Sequence, residues 1–272
     1  MEKADPSQGS SYDFQHLAAQ SAELERLRAQ AKIAWNLEKT VLLEAGLRPG
    51  MRVLDLACGP GFITRRIASE LVGAGGRVTG IDLSDPLLTV ARRECSGLDN
   101  VEFLKADVYA PGLPENAFDF AYARFLFQHL QHPETALGAV RRLVKPGGTV
   151  LLVDADDGLL GICPEPAGFA EFTARAADYQ AGRGGDRRVG RKLGCYLARS
   201  GFQRIAVRVV PLTSLAIPRR TLLDITTGFK VQLVPPEERE AAQRTVESIY
   251  AEAMETQAFV TTGVYVASGV CP

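Results

Sequence analysis

The residues best suited to chemistry stand in one short run, Asp55-Leu56-Ala57-Cys58-Gly59-Pro60-Gly61. The run lies where an apolar, strand-like segment, Arg52 to Ala57, gives way to a helical one, about Phe62 to Val72. Glycines at such a junction let the backbone pass close to a ligand, and the N-terminus of the following helix favours negative charge. A dinucleotide fingerprint would place a third glycine where this chain has Thr64, so a pyrophosphate is poorly served. Asp55 adds a carboxylate at the strand's end. It suits an ammonium group better than a phosphate, or else it accepts hydrogen bonds that shape the glycine loop.

Three further sets of residues have chemical potential. The stretch from Tyr122 to Leu130 holds Arg124, Phe125, Gln128 and His129. An imidazole, with an ordinary pKa of about 6.5, suits proton removal from a hydroxyl or a protonated amine; the alternative is that His129 only fixes its turn. Asp154, Asp156 and Asp157 follow a later strand. Strand alternation puts Asp154 and Asp156 on one side, to hold a substrate amine or hydroxyl or to form a solvated turn. Arg187, Arg188, Arg191 and Lys192 read as a solvated face ahead of an anion site. The ring faces of Tyr12, Trp35, Phe125 and Phe127 would attract a cation, or pack in the core. His132, just before Pro133, reads as a helix-start residue, and His16 carries no motif.

The elements that must position these residues follow a regular rhythm. A helical pattern runs from about Leu17 to Ala45 and stops at Gly46 and Pro49-Gly50. Strand-like segments follow at 52–57, 77–82, 101–106, 117–123 and 149–154, with helices starting near Phe62, Asp85 and Pro133. Strands alternating with helices in this way predict an α/β, doubly wound parallel sheet. Beyond Asp157 the rhythm loosens around an amphipathic stretch, Phe169 to Tyr179, and a helix over 189–200. Two strand-like segments, 204–211 and 263–270, enclose about fifty residues with helical patterns near 219–231 and 236–257.

With these residues in order, the sequence resembles the class I S-adenosylmethionine (SAM)-dependent methyltransferases. Asp55–Gly61 is similar to their first SAM-binding motif. Asp82, in Gly80-Ile81-Asp82-Leu83-Ser84, matches the acid that binds the ribose hydroxyls; Ala106-Asp107-Val108 matches the adenine-binding motif. Leu143-Val144-Lys145-Pro146-Gly147-Gly148 matches the turn before the fifth strand. The tail from Gly190–Leu193 to Ala198–Phe202 also resembles the family, and Tyr12 followed by Glu23–Gln30 resembles a bacterial small-molecule subgroup of the ubiquinone/menaquinone or secondary-metabolite kind. Ala57 departs from the glycine common there. The resemblance implies a Rossmann-like, seven-stranded, mostly parallel sheet with an antiparallel last strand, plus helical cap elements. It implies S-adenosyl-L-methionine held by Asp55, Ala57, Cys58, Gly59, Gly61, Asp82, Leu83, Asp107, Val108 and Arg124. It places His129 as the candidate catalytic residue and Tyr12, Phe125, Gln128, Asp154 and Asp156 toward the substrate. The structural alternatives are a helix cap for Asp82 and an Asx turn for Asp107.

Composition narrows the class of function. In 272 residues, 31 Lys and Arg balance 32 Asp and Glu. That near-neutral sum, with no basic stripe, argues against nucleic acid. No run approaches the roughly 20 apolar residues that cross a bilayer, so no membrane partner is expected. The polar start has no apolar signal core, and a cytoplasmic chain is expected. Five cysteines without a CxxC and three histidines offer neither a disulfide framework nor a metal site. The expected organisation is an N-terminal helical extension or lid over 1–45 and a methyltransferase domain over 46–272 with a helical cap insertion at about 212–260. The apolar insertion reads as a lid over the acceptor, or else as a dimer interface, so the chain is monomer or homodimer. The expected reaction is methyl transfer to oxygen, nitrogen or carbon of a small, fairly apolar acceptor, such as a quinone precursor or secondary metabolite. The rivals are a SAM-fold protein with a non-methylating or regulatory role and, disfavoured by Thr64, a nicotinamide oxidoreductase.

Overall fold

The structure, a computed structural model, describes residues 20–272; Tyr12 and His16 lie outside the described residues. Apolar runs form the strands, and most of those in the central sheet are followed by helices that cover it. The order is α1 (Gln20–Glu44), β1 (Arg52–Leu56), α2 (Phe62–Arg66, continued as a π-helix over Ile67–Val72), β2 (Arg77–Asp82), α3 (Asp85–Glu94), β3 (Val101–Lys105) and β4 (Phe118–Arg124). Then come α4 (Pro133–Leu143), β5 (Val144–Ala155), β6 (Gly161–Cys163), α5 (Phe169–Gly182), α6 (Leu193–Arg199), β7 (Gln203–Thr213), α7 (Arg219–Thr226), α8 (Arg239–Glu255) and β8 (Phe259–Val270).

Strands β3, β2, β1, β4 and β5 run parallel in that spatial order, and β8 lies antiparallel beside β5. β8 also pairs antiparallel with β6 and β7. The sheet has eight strands rather than seven; β6 has three residues, below the length at which alternation can be read. The register aligns Leu56 with Ile81 and with Ala123, so the C-terminal ends of β1, β2 and β4 finish together. The chain order reverses at β1, which lies between β2 and β4; such a switch point opens a crevice at the strand ends.

Both faces of the central sheet are covered, which is why β1 is a near-continuous apolar run broken only by Asp55. α1 contributes Trp35 and Leu42 to one face, against Val53, Phe120 and Leu151. α4 and α6 contribute Leu137, Val140 and Leu197 to the other, against Leu54, Ala121 and Leu152. A third core belongs to the cap. Ile162 of β6, Phe172 of α5, Leu222 of α7 and Ile249 of α8 pack together apart from the two sheet faces. Burying a large apolar side chain contributes about 1.5–3 kcal/mol, so this cap is a packed unit and not a solvated connection. It draws on α5 as well as on the apolar segment between β7 and β8.

Candidate active site

A cavity of about 660 Å³ opens at the C-terminal ends of β1, β2 and β4, between the sheet edge, α1 and the cap. On its sheet side two non-glycine residues take left-handed backbone, Ala57 (φ 55°) after β1 and Phe125 (φ 53°) after β4. Such residues are uncommon and gather where a chain must turn sharply at a site. Ala57 adopts a conformation that glycine reaches more cheaply, which accounts for the glycine usual at this position of the motif. At Gly59 (φ 55°) no atom lies within 4 Å of where a Cβ would stand, so the backbone is bare toward the cavity.

Asp82 organises that turn. Its Oδ2 accepts from the Gly59 amide at 2.9 Å and its Oδ1 from the Ser84 amide at 2.8 Å. A carboxylate has about four lone-pair sites, which leaves acceptor capacity toward the cavity. Burial lifts Asp82 above the ordinary carboxylate range against the opposing pull of these amides. Asp55 accepts from the Thr64 hydroxyl at 2.5 Å, and burial pushes it up to about 7. The residue that breaks the dinucleotide pattern therefore anchors the acid of this one. Asp107 accepts from the Tyr109 amide at 2.9 Å and lines the wall beside Val108. Cys58 lines it too; burial, then Asp55 and Asp82, raise its thiol well above the ordinary value, so it is not a thiolate nucleophile.

Arg124, at the end of β4, forms a buried ion pair with Glu38 of α1. Its guanidinium also lies over the Phe125 ring, 4.5 Å from the centroid. The Nη2 of Arg124 and the hydroxyl of Tyr122 are buried with no hydrogen-bond partner, and both residues line the cavity. Buried donors without partners are costly, and a ligand is one way to satisfy them.

The cap side is built differently. Arg187 reaches Asp157 through Nε at 3.0 Å and Nη2 at 2.7 Å, and pairs with the Gln128 Oε1. Fully buried Lys230 meets the same Asp157 at 2.9 Å. Burial lowers Lys230 to about 8 despite that carboxylate, and the two cations hold Asp157 below the ordinary range against its own burial. His129 lines the cavity with its Nδ1 3.4 Å from Gln180 Nε2. Burial, then Arg187 and Arg26, lower its pKa to about 3. The imidazole is neutral at physiological pH and a weak base there. This corrects the expectation of an ordinary imidazole matched to proton removal.

Most of the expected ligand-facing residues line this one cavity: Asp55, Ala57, Cys58, Gly59, Asp82, Leu83, Asp107, Val108, Arg124, Phe125, Gln128 and His129. Others do not. Gly61 (φ 73°) stands behind the wall, where an added Cβ would lie 2.9 Å from the Ala91 Cβ, so it lets α2 approach α3. Asp154 is fully buried behind the cavity, accepting from the amides of Gln128 and Ala155. Asp156 is taken up by Arg191 at 2.7 Å through both Nε and Nη2 and by the Gly158 amide. Alternation does not extend past Ala155, because Asp156 caps a short helical turn over Asp157–Leu159; this leaves Asp157 facing the cavity. Trp35 and Phe127 belong to the core. His132 occupies the helix-start position of α4. Of the basic run, Arg187 is buried at the cavity instead of solvated. Sequence pattern did not single out Arg26, Arg183, Lys230 or Arg239, which come from α1, the end of α5 and the cap and share no spacing.

Comparison with known proteins bears on this geometry. Residues 53–148 match the family described as "Methyltransferase domain". An uncharacterized 37.1 kDa protein in a transposon of Streptomyces fradiae is 34% identical over 179 residues, covering 65% of this chain and 50% of that protein. The ubiquinone/menaquinone biosynthesis C-methyltransferase UbiE of Ectopseudomonas mendocina is 40% identical over 115 residues, 40% of this chain and 44% of that protein. The chain thus spans about half the length of the curated relatives it matches. Among solved structures, a phosphoethanolamine N-methyltransferase of Haemonchus contortus shares the fold at a TM-score of 0.64 and 20% identity, covering 97% of this chain and 60% of that one. The matched region, the strand order and the ordered motifs at the strand ends identify residues 53–148 as a class I SAM-dependent methyltransferase domain.

Proposed function

We propose that the chain binds S-adenosylmethionine along the sheet side of the cavity and transfers its methyl group to a small molecule held under the cap. The observation that carries this reading is the placing of Asp55, Asp82 and Asp107 at or just past the C-terminal ends of three adjacent parallel strands, all opening on one cavity beside a bare glycine turn. The residues fit the group. The spare acceptor capacity of Asp82 suits two ribose hydroxyls, the wall at Leu83, Asp107 and Val108 suits the adenine, and the unpartnered Arg124 Nη2 suits a carboxylate. Asp55, next to Gly59 and Arg124, suits the amino group.

When bound, SAM supplies an electrophilic methyl on a sulfonium, and the hard chemistry is the cofactor's. The chain orients the reacting groups and excludes water. α1 and the cap roof the cavity, with Leu27, Ile225 and Leu233 among its apolar lining. Among the described residues, no side chain on the cap side is matched to remove a proton. His129 is too weakly basic, and Asp157 is held ionised by Arg187 and Lys230. The positive charge there instead favours the ionised form of an acidic group on the acceptor. Incubation with methyl-deuterated SAM and a panel of acceptors, read by mass spectrometry, tests the reading. The expected result is a product heavier by one deuterated methyl in place of hydrogen; a protein that binds neither SAM nor S-adenosylhomocysteine would refute it.

A further inference from the structure

The charge of the cavity wall changes sign from one side to the other. Asp55, Asp82 and Asp107 line the sheet side, where the cation Arg124 is already paired with Glu38. The other side presents Arg26, Arg183, Arg187 and Arg239, with Lys230 behind Asp157. Among the described residues, two lining carboxylates answer these five cations: Glu23, which pairs with Arg26, and Asp157. The guanidiniums of Arg26 and Arg187 flank the Phe229 ring at 5.0 and 5.2 Å from its centroid. Among the described residues neither Arg183 nor Arg239 makes an ion pair, and the Arg239 Nε is buried with no hydrogen-bond partner. A guanidinium withdrawn from water without a counter-charge is unfavourable, and its planar fork matches the two oxygens of a carboxylate or phosphate. Leu160, Leu212, Ile225 and Leu233 supply apolar wall beside these cations.

We propose that the cap side of the cavity receives an oxo-acid group, carboxylate or phosphate, carried on the apolar body of the methyl acceptor and held by Arg183, Arg187 and Arg239. This adds an acid group to the fairly apolar acceptor expected from sequence, and it rests on the methyl-transfer reading of the same cavity. Arg183, exposed at the mouth, meets the acid first; half-buried Arg239 and buried Arg187 fix it inside. The acid also offsets the positive charge that the sulfonium would otherwise face across the cavity.

Calorimetry on the full chain with S-adenosylhomocysteine present tests this with matched probes: 2-naphthoate against 2-naphthamide, and phenyl phosphate against phenol. At least one acid is expected to bind about tenfold or more tighter than its neutral twin, a difference typical of one charge-assisted pair; which acid does so separates carboxylate from phosphate. The preference is expected to collapse in Arg183→Gln/Arg239→Gln and to weaken in Arg183→Gln alone, whose exposed position leaves the fold intact. Neutral twins that bind as tightly as the acids, or a preference that survives both substitutions, would overturn the proposal. A titration with S-adenosylhomocysteine alone reads the sheet side separately. Its binding without any acid preference overturns the anion site only, whereas an acid preference without its binding overturns the claim that the acid is a methyl acceptor.

Discussion

The two sides of one cavity are built by opposite means. The sheet side is local: Asp55, Asp82 and Asp107 each end or follow a strand, and parallel register brings them to one edge. Its charges are set by hydrogen bonds within a few residues or across neighbouring strands, such as Gly59 to Asp82 and Thr64 to Asp55. The cap side is assembled from α1, the segment around Arg183–Arg187 and the elements between β7 and β8, and its charges are set by ion pairs between distant segments. Backbone register makes the first side a general cradle. Long-range packing makes the second a specific one, and the proposed function assigns specificity for the acceptor to it.

The largest expected effect comes from breaking the cap's ion pairs. Asp157→Asn leaves buried Lys230 and Arg187 without their shared carboxylate, and removing one partner of a buried pair costs about 3–5 kcal/mol. Denaturant unfolding should show that loss, with the cofactor affinity of the folded fraction little changed. On the sheet side, Asp82→Ala removes the acceptor for Gly59 and Ser84 and the two bonds assigned to ribose. At about 1.5–3 kcal/mol per charged bond, SAM binding should weaken by roughly 100-fold or more. Calorimetry on the folded variant checks this, and an unchanged affinity removes the ribose assignment.

A smaller effect concerns pH. Lys230 has its folded pKa lowered to about 8 from 10.5. Between those values the unfolded chain holds the extra proton, so this group makes stability rise with pH across that window. Lys230→Met should flatten that rise relative to wild type in unfolding measured from about pH 8 to 10.5. A rise of equal slope in the variant would mean that Lys230 is not the group responsible. The smallest effect is expected at His129. With a pKa of about 3, it should contribute no limb near neutrality to the pH–rate profile. His129→Ala should lower kcat by less than the roughly 100-fold that a matched base supplies at minimum. A limb near neutrality that vanishes in the variant would restore the base.

The same division decides what could be read from the chain itself. The strands through β5 and the helices α3 and α4 were legible because short apolar, strand-like runs alternate with helical patterns across glycine and proline stops. Asp55, Asp82 and Asp107 were legible because a strand end fixes where a side chain goes. The expectation failed at Asp154 and Asp156, where a helical turn ends the alternation and passes the cavity position to Asp157. It failed at Gly61, whose place in the motif serves the contact of α2 with α3. The neutrality of His129 comes first from its burial under the cap and then from Arg187 and Arg26, about one hundred and sixty residues apart in sequence, and no local spacing carries that information. Arg183, Lys230 and Arg239 were silent for the same reason.

In the proposed function, a nucleoside cofactor occupies the acidic sheet side while the acceptor's acid meets the arginines of the cap. A crystal structure of the chain with S-adenosylhomocysteine and a bound acid checks both placements at once. Expected are ribose hydroxyls on Asp82, adenine beside Leu83 and Val108, the amino-acid carboxylate at Arg124, and the acceptor's oxo-acid between Arg183 and Arg239. A nucleoside lying under the cap, with Asp82 bound only to Gly59 and Ser84, would contradict it.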